Sequence, residues 1–318
     1  MIESSSPDNN SRFYIFVFSS HAKLHLISQN SFKMNSAIDQ ENLCLERAAC
    51  IQLISTFIPE PDNLAEQRDR GGNPCALSIL ENAPDETVQP VTGITLCQSW
   101  PTNHDGQPVI AVACYTGGGL PIQCCGHGLL AAAHSWQQKL QCDELSLLMH
   151  NSLVHSWCEQ NDTWLRFKRL PTTALPVPEW VEGVFPGLPP PIAAAACGDE
   201  QGYVILRWPD EFGLRQLDPS LARFSKQSQR ALICTSAHPS LGADAIQLRY
   251  FAPQYGVAED PATGSAMRVL ADYWSNRFSS LTAQQCSAEE GLLLARVTPE
   301  HVEVGGRCQI TPMKTNNA

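Results

Sequence analysis

The stretch Asp260-Pro261-Ala262-Thr263-Gly264-Ser265-Ala266 constrains this chain more than any other. Pro261 disfavours helical backbone at the residue before it, so Asp260 stays in a loop. Ser265 is the residue type that caps a helix, and it is expected to do so here. Ala266, Val269, Leu270, Tyr273 and Trp274 then fall on one face at helical spacing. The spacing predicts a core-facing helix with a carboxylate, a hydroxyl and free backbone N–H groups at its tip. Such a tip attracts anions.

The same device occurs earlier. Cys125-Gly126-His127-Gly128 leads into Leu129, Ala132, Ala133, Trp136 and Leu140, again one apolar stripe. Aligned on the two stripes, Gly126 falls on Gly264, His127 on Ser265 and Trp136 on Trp274. The chain is therefore expected to hold two related halves, each with a helix whose N-terminus meets a ligand.

Between and around these helices the sequence reads mainly as strands. Expected strands are residues 50–58, 109–115, 145–150, 163–168, 203–208, 231–236, 245–251, 292–297 and 302–311, with a further apolar run at 75–80. Residues 85–95 carry a weak helical pattern, and residues 219–229 a further helix. Seven prolines lie between residues 170 and 192, which reads as a stiff, irregular linker. Strands do not alternate with helices as βαβ repeats, so the class is α+β. We divide the chain into an N-terminal extension (1–47), a first domain (48–170) and a second (171–301). A strand near 302–318 is placed to return to the first domain. Residues 1–33 are loop-like apart from Phe13–Phe18 and lack the features of a signal peptide. Met34 is the more ordinary start.

Composition narrows the partners. A net charge of −11 argues against nucleic acid and anionic membrane. No apolar run is long enough to span a bilayer. The 13 cysteines are scattered without a Cys-x-x-Cys pair. They read as reduced thiols of a cytoplasmic protein, and no metal site is expected. Gly117-Gly118-Gly119 lacks the Lys-Ser/Thr that would make it a phosphate loop.

Four motifs together point to a family. Gly72-Asn73-Pro74, Cys125-Gly126-His127, Leu248-Arg249-Tyr250-Phe251-Ala252-Pro253 and Glu259 to Ala266 resemble, in order and spacing, the PhzF-like isomerases of phenazine biosynthesis. The resemblance covers residues 50–312. It implies the diaminopimelate-epimerase-like fold: two pseudo-symmetric domains, each a curved mixed sheet around a central helix, with the ligand between them. It also implies a proton shift on a small cyclic or amino-acid-like carboxylate without metal or organic cofactor. Homodimers are common in such families.

The resemblance also marks a departure. The family's base is a glutamate in Leu-Ser-Glu-Thr-Phe, and the matching stretch here is Leu96-Cys97-Gln98-Ser99-Trp100. On that alignment Gln98 holds the place of the glutamate, and an amide accepts no proton near neutral pH. Restoring the carboxylate with Gln98→Glu is then expected to restore a base. The acidic residue usual before Cys-Gly-His is absent from Gly118 to Gln123, and Leu129 replaces a threonine. Asp260 and His127 remain as catalytic candidates. Gly126, Gly128, Gly264, Ser265 and Asn73 are expected to bind substrate. Thiol-pair racemisation is not expected, because the counterpart of Cys125 is Thr263, and Cys125 reads as a buried small hydrophobe. An inactive binder of small acids is the alternative reading.

Overall fold

The computed structural model describes residues 51–59, 71–84 and 94–310. The expected N-terminal extension (1–47) lies outside them, as does most of the weak helical pattern at 85–95.

The strands of the first half are β1 (Ile51–Thr56), β2 (Asn73–Ile79), β3 (Thr95–His104), β4 (Gln107–Tyr115), β5 (Glu144–Met149), β6 (Ser152–Glu159) and β7 (Asp162–Lys168). Helix α1 (Gly126–Leu140) joins β4 to β5. The second half holds β8 (Thr172–Leu175), α2 (Trp180–Val184), β9 (Ala193–Cys197) and β10 (Tyr203–Arg207). It continues through α3 (Leu221–Gln227), β11 (Ala231–Ala237), β12 (Ala245–Phe251) and α4 (Gly264–Trp274). It ends with β13 (Ser280–Gln285), β14 (Gly291–Val297) and β15 (His301–Ile310).

One pairing pattern occurs twice. In the first half β2–β3 and β4–β5 are parallel and the other neighbours antiparallel. In the second half β10–β11 and β12–β13 are the parallel pairs. Strands β1 to β7 therefore match β9 to β15, with α1 and α4 in the same gap. Each parallel pair needs a crossover, and the two helices supply one apiece. Both are enclosed by their sheets: α1 touches every strand from β1 to β7. Strand β15 joins the halves. It pairs with β14, with β7 along 301–307, and with β1 through Thr56 to Cys308 and Ile54 to Ile310.

The helices are buried because their sequences are apolar on nearly every side. Leu129, Leu130, Ala131, Ala132 and Ala133 of α1 are at most 1% exposed. Ala266, Met267, Val269, Leu270 and Ala271 of α4 are fully buried. Each large side chain removed from water stabilises the fold by about 1.5–3 kcal/mol. Leu140 departs from the expected stripe. At the C-terminal turn of α1 it has run past the sheet and is 52% exposed. A second apolar cluster, including Val181, Phe224, Leu206 and Cys234, lies where α2 and α3 cover the outer face of β10, β11 and β12. All seven residues of β11 are buried for that reason.

The proline-rich segment is more ordered than expected. It contains β8 and α2, because its Thr172–Leu175 stretch extends the sheet at β9 and its prolines fall at element ends.

Candidate active site

The N-termini of α1 and α4 abut. The residue before each helix is extended, Cys125 at φ −111 and ψ 90 and Thr263 at φ −114 and ψ 94. Neither uses its side chain to cap its helix, so each tip keeps free N–H donors. The expectation that Ser265 caps α4 is corrected. Thr263 is the cap position, and Ser265 is already the second helical residue. Close approach dictates glycine at both tips. A Cβ on Gly126 would fall 2.7 Å from the Gly264 Cα, and one on Gly264 2.9 Å from the Phe57 ring. Phe57 follows β1 with left-handed backbone, φ 58, and is fully buried.

The loop before α4 is held by polar side chains from distant strands. Asn73 Nδ2 donates to Asp260 Oδ1 (3.0 Å) and to the Ala262 carbonyl (2.8 Å). Thr263 Oγ1 donates to Asp260 Oδ2 at 2.6 Å. Gln285 accepts from Thr263 N–H at 2.7 Å and donates to the Asp260 carbonyl at 2.5 Å. Ser287 donates to the Pro261 carbonyl at 2.7 Å. Glu259 is gripped by both ends of the Arg249 fork, each contact 2.7 Å. Arg249 also donates to the Leu214 and Leu217 carbonyls. A carboxylate so fixed keeps its place without a reorganisation cost.

Burial raises the Asp260 carboxyl above its usual range, against the pull of His127, Thr263 and Asn73. For His127 burial acts downward, while contact with Cys125 and then the charge of Asp260 act upward. The lift from Cys125 requires a thiolate. Cys114 bonded to it and burial hold Cys125 well above the usual thiol range, so at neutral pH it is a thiol. With Cys125 a thiol, the upward pull that remains is the charge of Asp260, set against burial. The site thus offers a carboxyl of raised basicity and a histidine whose positive charge that carboxylate favours. A separate cavity of about 280 Å³ near Ile246, Gln284 and Leu292 has Glu290 on its wall. That carboxylate is already paired with Arg215.

Comparison with known proteins fixes the family. The model of the PhzC-PhzF family, described as phenazine biosynthesis-like protein, matches residues 174–312. An uncharacterized isomerase of Pseudomonas aeruginosa is 32% identical over 190 residues, covering 58% of this chain and 69% of that protein. Another from Vibrio cholerae is 30% identical over 247 residues, covering 72% and 80%. This chain belongs to the PhzC-PhzF family. It stands among that family's isomerases. A PhzF family protein from Enterococcus faecalis superposes with a TM-score of 0.67 at 19% identity, over 82% of this chain and 96% of that one. A hydroxyproline epimerase from Agrobacterium vitis superposes at 0.53 with 8% identity, over 82% and 90%. The fold is the diaminopimelate-epimerase-like α+β fold.

Within this PhzF-like frame, Gln98 stands apart from the other candidates. On β3, Cys97 Sγ contacts the Gly128 carbonyl at 3.4 Å, and Trp136 Nε1 donates to Ser99 Oγ at 2.9 Å. Residues 97 and 99 therefore face α1, and strand alternation turns Gln98 to the other side of the sheet. There it is fully buried, and neither Oε1 nor Nε2 has a hydrogen-bond partner. The tips bring together Asp260, His127, Asn73, Gly126, Gly128, Gly264 and Ser265, but not Gln98. Replacing Gln98 with Glu would bury an unpartnered carboxylate rather than supply a base.

Sequence reasoning missed the surroundings of both tips. Cys75, Cys97 and Cys114 pack behind Cys125, all buried. Among the described residues no group of three or more His, Cys, Asp or Glu is arranged to hold a metal. Tyr203, Tyr250 and Gln285 were also missed. Their one local signal was a polar or phenolic side chain inside an apolar strand. Among the described residues no helix is long and apolar enough to cross a membrane.

Proposed function

We propose that this chain is a cofactor-free isomerase that moves a proton on a small carboxylate held at the two helix tips. Asp260 takes the proton from carbon, and the His127 imidazolium returns one at another position. The free N–H groups of the tips hold the substrate carboxylate. The observation that carries this reading is the meeting of the tips, which brings a fixed, partly buried carboxylate and a buried histidine to one place. Raised basicity at Asp260 brings its pKa nearer the working pH, as a general base requires.

The test is deuterium uptake from D₂O into a panel of cyclic and amino-acid-like carboxylates, read by mass spectrometry. Native protein is expected to label at least one of them. Asp260→Asn and His127→Ala are each expected to slow labelling by about 10²–10⁴-fold. Brisk labelling unchanged in both variants would place the chemistry elsewhere. A second reading keeps the cleft without the reaction: the tips bind a small acid and do not turn it over. Saturable binding with no label in any panel member would favour it.

A further inference from the structure

The side chains that hold Asp260 have only one way to place their hydrogens. The amide of Gln285, on β13, lies between two backbone groups of the loop before α4. One end meets the Thr263 N–H at 2.7 Å, and the other meets the Asp260 carbonyl at 2.5 Å. A backbone N–H only donates and a carbonyl only accepts. The first end is therefore Oε1 and the second Nε2. The other hydrogen of Nε2 is then directed at Thr263 Oγ1, 3.1 Å away. Gln285 is fully buried and Thr263 is 5% exposed, so this pairing is made away from solvent.

The Thr263 hydroxyl has one hydrogen of its own. With Gln285 donating to its oxygen, that hydrogen goes to Asp260 Oδ2 at 2.6 Å. Asn73 settles the other oxygen in the same way. Its Nδ2 is identified by the Ala262 carbonyl at 2.8 Å, and the remaining hydrogen goes to Asp260 Oδ1 at 3.0 Å. Each carboxylate oxygen thus receives one donor. Turning the Thr263 hydroxyl away from Asp260 toward Gln285 would set its hydrogen against an N–H. Donors aimed at a carboxylate favour its charged form, and here they oppose the burial that raises Asp260. The other titratable and charged groups that act on Asp260 are His127 at the tip of α1, Glu259, which is paired with Arg249, and Tyr250 on β12. Substitution at Gln285 or Thr263 removes none of them.

We propose that Gln285 is a positioning residue for the base: it orients the Thr263 hydroxyl, and through that hydroxyl it holds Asp260 as an ionised acceptor in one orientation. This rests on the reading of Asp260 as the base.

Carbon NMR of the full chain with carboxyl-labelled aspartate tests it, the Asp260 signal being assigned by its loss in Asp260→Asn. A hydrogen bond to a charged group corresponds to about a tenfold to hundredfold change in an acid's dissociation constant. Thr263→Val keeps the shape and loses the hydroxyl, and is expected to make Asp260 a weaker acid by about that factor. Thr263→Ser is expected to titrate as the native protein does. Gln285→Met frees the hydroxyl to turn. It is expected to weaken the acid too, and to add nothing in the Thr263→Val background. Unmoved signals of the other aspartates mark each variant as folded. Should Gln285→Met fail to fold, Gln285→Asn, which draws the amide back, gives the same comparison. A native midpoint in Thr263→Val overturns the proposal, as does a Gln285 effect that is equally large without the hydroxyl. Deuterium labelling of the acid panel separates this from the reading it rests on, because the acid limb of its pH profile is expected to move with the NMR midpoint. The expected midpoints with no label in any acid keep the positioning and overturn the base. Brisk labelling with a native midpoint in Thr263→Val overturns the positioning alone.

Discussion

The two helix tips share a frame and differ in lining. Their cap residues have nearly the same dihedrals. Each helix also sends a tryptophan back to a strand hydroxyl at the matching place: Trp136 to Ser99 at 2.9 Å and Trp274 to Thr235 at 3.2 Å. Around the first tip the neighbours are thiols, which pack as small hydrophobes and hold His127 with few directional bonds. Around the second they are Asn73, Thr263, Gln285 and Ser287, which fix the loop through hydrogen bonds. The repeated fold places the two functional groups. The unlike linings make one a rigid acid and the other a histidine whose charge depends on its neighbour.

The tryptophan pair gives the largest test of how alike the halves are. In Trp136→Phe the Ser99 hydroxyl loses its partner in a fully buried place, at a cost of about 1–3 kcal/mol beyond the lost packing. In Trp274→Phe the Thr235 hydroxyl still donates to the Gln247 carbonyl at 2.9 Å. The first variant is therefore expected to be the less stable in urea unfolding at equal m-value. Equal losses would show that the hydroxyl contacts do not distinguish the halves.

Gln98 sharpens the contrast on the outer faces. With Ser99 matched to Thr235, its counterpart is Cys234, which is packed in the apolar cluster under α2 and α3. Gln98→Leu is expected to raise stability by about 1–2 kcal/mol, because it removes a buried amide that has no partner. Destabilisation would mean that the amide is satisfied in solution. Gln98→Glu is expected to be less stable than native at neutral pH.

The smallest effect is a dependence on pH. His127 is held above its ordinary 6.5 in the folded chain by the charge of Asp260. Its contribution to stability is fully present below pH 6.5 and is lost as pH rises above it. Asp260 is raised too, so its contribution has the same sign, present below its usual value of 3.8 and lost above it. Tm measured from pH 6 to 9.5 is expected to fall, and His127→Ala to flatten that fall. A slope that persists in His127→Ala would assign it to other groups.

Much of this arrangement was legible in the residues. Pro261 kept Asp260 in a loop, the apolar spacing produced α1 and α4, and β-branched runs marked β4, β11 and β12. These features depend on steric and solvation preferences acting over a few residues. The cap of α4 was misplaced by two positions, because Thr263 and Ser265 are both capping types and only the backbone decides between them. The face of β3 that meets α1 was not legible either. A strand alternates with period two, so a one-residue difference moves Gln98 from the site to the far side.

By itself, then, the sequence determined the two tip helices and the family, and it put Asp260 and His127 next to their starts. The tertiary structure alone decided what surrounds them. Asn73 reaches Asp260 across 187 residues of chain, and Arg268 lacks its i+4 partner because Arg169 arrives from β7's end to take it. Such contacts follow from how the sheet closes, and no local preference of the backbone encodes them.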